Sequence, residues 1–218
     1  MDNNSESFLL GTLLTLSGGL MDAYSYLVRG KVFANAQTGN ILFIGISLYE
    51  GNWDRLTHYL FPVTAFTLGI MLAEFMKTER LHPDHWKQRI VLAEALLLML
   101  VSLIPTDLFA NSLTSFACGM QVQTFRSLRG HPFATTMCIG NLRSATVHMV
   151  SWIRGHEKSQ LKASLSLFYI IVCFVAGAVL GNALIPWLHQ YTILGCSLLL
   201  AASFMILQIR HAKRTHQL

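Results

Sequence analysis

Eight apolar segments, at about 8–28, 33–49, 58–76, 90–105, 108–125, 133–152, 163–185 and 190–209, follow one another along the 218-residue chain. A membrane-spanning helix needs about 20 mostly apolar residues. Lipid admits only helices and closed barrels, because every backbone polar group must be satisfied within the protein. Long stretches of strand alternation are absent, so the segments read as helices. Only 12% of residues are charged and 53% are hydrophobic, against about 25% charged in an average soluble domain. Mean hydropathy is +0.47. The expected class is an all-α integral membrane protein, a single domain over 1–218.

The net charge of +5 does not point to nucleic acid, because Lys and Arg cluster between and after the apolar runs. That is where loops face the cytoplasm and anionic lipid, so the lipid bilayer is the expected partner. The N-terminus, MDNNSES, has no basic region ahead of the first apolar run, and that run is expected to stay in the mature protein. Cys118, Cys138, Cys173 and Cys196 show no CxxC spacing and read as small buried hydrophobes. His82 and His85 stand in the charged stretch 77–89 and read as loop residues. No metal or cofactor is expected.

Two stretches repeat. Gly19, Arg29, Gly30, Phe33 and Ala34 match Gly119, Arg129, Gly130, Phe133 and Ala134 at an offset of 100. Gly39-Asn40 matches Gly140-Asn141 with one residue inserted. Gly69 and Ala73 resemble Gly177 and Gly181 as small pairs that let helices approach. The chain therefore reads as two halves, about 8–105 and 108–209. Internal repeats of this kind are common in transporters.

Lys and Arg counts set the orientation. Loops 77–89 and 153–162 and the C-terminus are basic and are expected in the cytoplasm. Loops 50–57, 105–107 and 186–189 hold only Arg55 and are expected outside. Eight full crossings cannot satisfy that pattern. One segment of each half must be broken or re-entrant, giving three net crossings per half, inverted halves and cytoplasmic termini. Eight full crossings with parallel halves is the rival, and it violates the bias at 153–162.

Glycine permits unusual backbone angles, and asparagine caps helix starts. The two Gly-Asn pairs therefore suit helices that begin inside the membrane, where N-terminal partial charge attracts anions or carbonyl oxygens. Asp22 interrupts LSGGLMDAYSYLV, and a carboxylate there is functional or paired. Arg143 and Arg126 are its candidate partners. The candidate solute-binding residues are Asp22, Tyr26, Asn35, Gln37, Thr38, Gly39 and Asn40 in the first half. In the second half they are Gln121, Gln123, Thr135, Thr136, Gly140, Asn141 and Arg143. Glu74 is expected to reach the interface, and Glu94, one turn further in, is a proton-relay candidate. His148 reads as a hydrogen-bonded bundle residue, and Tyr24, Tyr26 and Phe125 read first as packing.

The elements GLMDAYSYL and VFANAQTGN, with GMQVQTFRSL and ATTMCIGN in the second half, resemble the YoaK family of bacterial polytopic membrane proteins, catalogued as domain of unknown function 1275. The resemblance covers nearly the whole chain. It departs at Val122 and Gln123, where Asn-Ala is expected after GMQ. It implies a multi-pass bacterial inner-membrane protein and no settled activity. The function expected from the residues is a secondary transporter or channel for a small polar or anionic solute, bound at the repeat interface near mid-membrane. The alternative is a non-transporting structural or sensory membrane protein. An intramembrane enzyme is disfavoured, since HExxH, GxSxG and CxxC are absent. Small-residue faces such as Gly177 and Gly181 also allow a homodimer.

Overall fold

The computed structural model describes residues 3–77, 83–125, 127–128, 131–132 and 138–215. In chain order the helices are α1 (Asn3–Val28), α2 (Gln37–Glu50), α3 (Trp53–Met76), α4 (Pro83–Val101), α5 (Asp107–Thr124), α6 (Cys138–Gly155), α7 (Lys158–Leu188) and α8 (Leu194–Thr215). A five-residue 3-10 turn, His189–Ile193, joins α7 to α8. A two-residue antiparallel ribbon pairs Ser127–Leu128 with His131–Pro132. Among the described residues, two helical stretches are long and apolar enough to cross a membrane, Trp53–Met76 and Lys158–Arg210. α1 and α5 are more polar. Their Thr15, Ser17, Ser25, Asn111, Thr114 and Ser115 are buried inside the bundle. Helices that face protein on most sides need not be apolar all round. Large side chains such as Phe61, Leu72, Leu96, Val172, Val179 and Leu198 are exposed on α3, α4, α7 and α8, as a lipid-facing surface requires.

Two crossings fix the packing. α1 lies along α7, and α5 lies along α3. A Cβ built on Gly19 would overlap the Phe174 carbonyl oxygen, and one on Gly177 would overlap that of Leu16. At the other crossing, Gly69 meets the Phe116 carbonyl and Gly119 that of Phe66. Both pairs run parallel, because Phe8 stacks on Tyr169 near one end while Ala23 meets Gly181 near the other. Gln123 likewise bonds Glu74 beyond the Gly119–Phe66 contact. α2 packs on α3, α6 on α7, and α4 against α8, while α8 also packs on α1 and α4 on α5. The main core joins Leu14 and Met21 of α1, Val91 and Leu98 of α4, Cys118 of α5, and Cys196 and Leu200 of α8.

The chain doubles back after α1. Gly30 and Lys31 take left-handed φ of 79° and 67°, which ends the helix and reverses the path. Ala34 N then donates to Ser25 Oγ (3.2 Å), Asn35 N to Asp22 Oδ1 (2.8 Å) and Asn35 Nδ2 to the Gly18 carbonyl (3.0 Å). Arg29 to Gly18 is eleven residues, about 16 Å of helix. α2 therefore starts partway along the bundle, beside the middle of α1. It ends on Gly51 in the left-handed region, and Asn52 caps α3 by accepting from Arg55 N. His58 then bonds the Gly30 carbonyl at 2.8 Å, so α2 returns to the end of the bundle that α1 reached. Arg29 joins Asp107 (3.3 Å) and the Val101 carbonyl at this same end. Gln88–Leu207 and Gln123–Glu74 tie the opposite end.

Candidate functional site

A cavity of about 810 Å³ opens between α1, the start of α2, the start of α6 and α7. Its apolar wall includes Leu27, Phe33, Ile139, Leu142, Ile171, Phe174 and Ala178. Its polar members are Asp22, Tyr26, Asn35, Gln37, Thr38 and Asn182. Asp22 is the one carboxylate among the described lining residues. Its Oδ1 holds the Asn35 amide just before α2 begins. Ala36, at the N-cap of α2, makes no side-chain cap bond; the entry is tied instead by backbone bonds from Gln37 N to the Asn35 carbonyl (2.9 Å) and from Gly39 N to the Ala36 carbonyl (3.0 Å). The Tyr26 and Phe33 rings stack at 4.8 Å, and the Lys31 ammonium lies 4.7 Å from the Tyr26 centroid.

The structure gathers five of the sequence candidates here: Asp22, Tyr26, Asn35, Gln37 and Thr38. Others lie elsewhere. Asn40 is buried as a clamp: its Oδ1 accepts from Phe33 N (3.1 Å), and its Nδ2 donates to the Phe33 carbonyl (2.7 Å) and Gln37 Oε1 (2.8 Å). Gly39 presses on the Phe33 ring. Asn141 is buried on α6 and Gly140 is exposed, and neither lines the cavity. Gln121 sits in the bundle core and donates to the Leu14 carbonyl at 3.1 Å. Gln123 bonds Glu74 at one bundle end. Arg143 is exposed on α6 and makes no ion pair with Asp22. The proposed Asp22–Arg143 pair is replaced by the Asn35 amide, because the returning chain reaches the carboxylate first. Thr135, Thr136 and Arg126 fall outside the described residues.

Three further observations bear on the reading. Asn182 was hidden in the apolar run 163–185. Its signal was a lone amide one residue beyond Gly181, on the α7 stretch that meets α1. Arg29 is 3% exposed and bonds Tyr24 Oη at 2.7 Å, while Asn111 Nδ2 holds the Arg29 carbonyl at 2.6 Å. His148 bonds Gln160 Oε1 at 2.6 Å, as its place in the bundle suggested. The four cysteines are free thiols, and of these Cys138 lines the cavity.

Comparison with known proteins gives a family and a relative. The family described as protein of unknown function (DUF1275) matches residues 10–206. The chain is similar to the UPF0700 transmembrane protein YoaK of Bacillus subtilis (strain 168). The two are 23% identical over 193 residues, covering 84% of this chain and 85% of that protein. No solved structure matches.

Proposed function

The chain belongs to the DUF1275 family of membrane proteins, and from that premise we propose that it is a secondary transporter or channel whose solute binds in the cavity at Asp22. The observation that carries the reading is the cavity itself. It is large enough for a small organic solute, and it is bounded by two helices that start within the bundle. Discontinuous helices beside a mid-membrane site are a recurrent transporter feature. The expected solute is small and polar. Asp22 in the lining counts against the anionic expectation.

The reading includes a duplicated chain with inverted halves. Four matched glycines support it, since Gly19 crosses α7 as Gly119 crosses α3. The neighbours correspond too: α1 with α7 and α8, α5 with α3 and α4, and α4 with α8 shared. α1 ends where α5 begins, at the Arg29–Asp107 pair, as a two-fold axis in the membrane plane requires of equivalent helices. Each half then makes three net crossings, with α2 and α6 re-entrant. Lys77 follows α3, Arg89 lies early in α4, Arg154 is in the last turn of α6, and Lys158 and Lys162 open α7, all toward the end marked by the Gln88–Leu207 bond and the Phe8–Tyr169 stack. The positive-inside bias assigns that end, and both termini, to the cytoplasm of a bacterial inner membrane.

The non-transporting reading is favoured by one observation: the polar side chains are used structurally, Asp22 accepting from Asn35 N, Asn35 donating to the Gly18 carbonyl and Asn40 to the Phe33 carbonyl. Two experiments separate the readings. A thermal-shift screen of small polar compounds in detergent finds binders. Flux of each binder into proteoliposomes is then compared between wild type and Asp22→Asn. The transporter reading expects flux that falls at least tenfold in the variant. Binders without flux would establish a sensory module instead. The transporter reading takes the chain to be no enzyme, and hydrolytic turnover by purified protein would replace it.

A further inference from the structure

We propose that Glu94 is the binding site for a monovalent cation, a proton or a sodium ion, in the bundle core and apart from the cavity at Asp22. α4 reads IVLAEALLLMLV around this residue. Glu94 is 1% exposed, and neither carboxyl oxygen has a hydrogen-bond partner among the described residues. It takes part in none of the ion pairs among those residues. Its helix neighbours Val91, Ala95 and Leu98 are packed into the main core. A lone carboxylate in such surroundings is strongly unfavourable without a counter-charge.

The packed elements do not supply that charge. The titratable groups facing this core are Cys118 on α5, Cys196 on α8, and Asp22 and Tyr24 on α1. Cys118 lies within electrostatic reach of Glu94, Asp22 and Cys196. On the 3-10 turn, His189 and Tyr191 are exposed. Of the cations, Arg29 of α1 is committed to Tyr24 and Asp107 at one bundle end, while Lys87 of α4, about two turns before Glu94, and Arg210 of α8 lie at the other, around the Gln88–Leu207 bond. The positive charge must therefore come from solution.

The same interior offers further oxygens. Thr15, Ser17, Ser115 and Ser197 are buried with hydroxyls that have no partner among the described residues. Ser115 stands one turn before Cys118, and Ser197 follows Cys196, whose thiol donates to the Ser17 carbonyl at 3.6 Å. Buried oxygens without partners call for an ion or water. One carboxylate without a counter-charge matches one positive charge. A divalent ion would leave net charge in the membrane. The assignment does not depend on transport; with transport, this cation is the coupling ion.

The test uses full-length protein in detergent. Apparent Tm is followed while sodium replaces choline at constant ionic strength and pH, and again across pH without sodium. Wild type gains about 3 °C or more per tenfold rise in the cation that binds. Glu94→Gln keeps the shape and loses the dependence. Dependence on sodium selects sodium, and dependence on pH alone selects the proton. Dicyclohexylcarbodiimide, which attacks protonated carboxyls in apolar settings, supplies a readout on wild type should Glu94→Gln not fold. Mass spectrometry then finds the adduct on Glu94, and sodium protects it if sodium is the ligand. A flat wild type, a Glu94→Gln as steep as wild type, or no adduct on Glu94 overturns the proposal. Loss of the dependence in Asp22→Asn alone would move the cation to the cavity and overturn it equally.

Discussion

Alanine at Gly119 tests the packing on which the rest of the fold depends. The added methyl would overlap the Phe66 carbonyl oxygen and crowd Ile70 N. Both are backbone atoms, so no side chain can swing aside. α3 and α5 must separate by about 1 Å or more to restore normal contact. Such a crossing holds roughly 30 heavy-atom pairs, each worth about 0.1–0.2 kcal/mol, and a 1 Å gap forfeits a quarter to a half of that. The loss is about 1–3 kcal/mol, in the range of overpacked cores. Gly45 on α2 is the control, because nothing lies within 4 Å of its built Cβ. There alanine only improves helix propensity, by up to about 1 kcal/mol. The assay is thermal unfolding of each variant in detergent, read by fluorescence-detected size exclusion. Gly19→Ala is expected to cost as much as Gly119→Ala, within about 1 kcal/mol, because its methyl would overlap the Phe174 carbonyl. If Gly119→Ala is no less stable than Gly45→Ala, the close α3–α5 crossing is wrong.

Asn40→Ala strips the Phe33 N–H and carbonyl of their partners and is expected to cost about 2–4 kcal/mol, visible as a lower Tm. Arg29→Met should cost about 2–4 kcal/mol, because it removes a buried cation and leaves the Tyr24 hydroxyl without its partner. Asp107→Asn should cost under about 1 kcal/mol, since that carboxylate is 46% exposed. Equal losses for the two would contradict the assigned burial. N-ethylmaleimide should modify Cys138 before the buried Cys118, Cys173 and Cys196, and a cavity ligand should slow it. Even labelling across all four, read by peptide mass spectrometry, would deny an open cavity at that thiol.

Hydropathy and the Gly19/Gly119 correspondence are local properties of the chain, so they could be read before any folding was known. The apolar runs marked each helix, with ends displaced by up to seven residues, as at α4, where polar residues open the helix ahead of the apolar run. The charge bias required one segment of each half to stay short of a full crossing, and the bonds from Asn35 to Asp22 and Gly18 show α2 starting deep within the bundle. Asp22, in an apolar run, announced itself as a costly group that needs a reason. Partners across the bundle were beyond such reading. Arg143 was as good a match for Asp22 as any residue until the chain after Gly30 folded back and brought Asn35 to the carboxylate. Asn40 looked like a lining residue and became a clamp for the same reason. Asn182 reached the cavity through the parallel α1–α7 crossing, some 160 residues away in sequence from Asp22. Composition and spacing fix which segments enter lipid, because solvation acts on each residue separately. Which side chains meet there follows from close packing of distant helices, and that is a property of the assembled bundle alone.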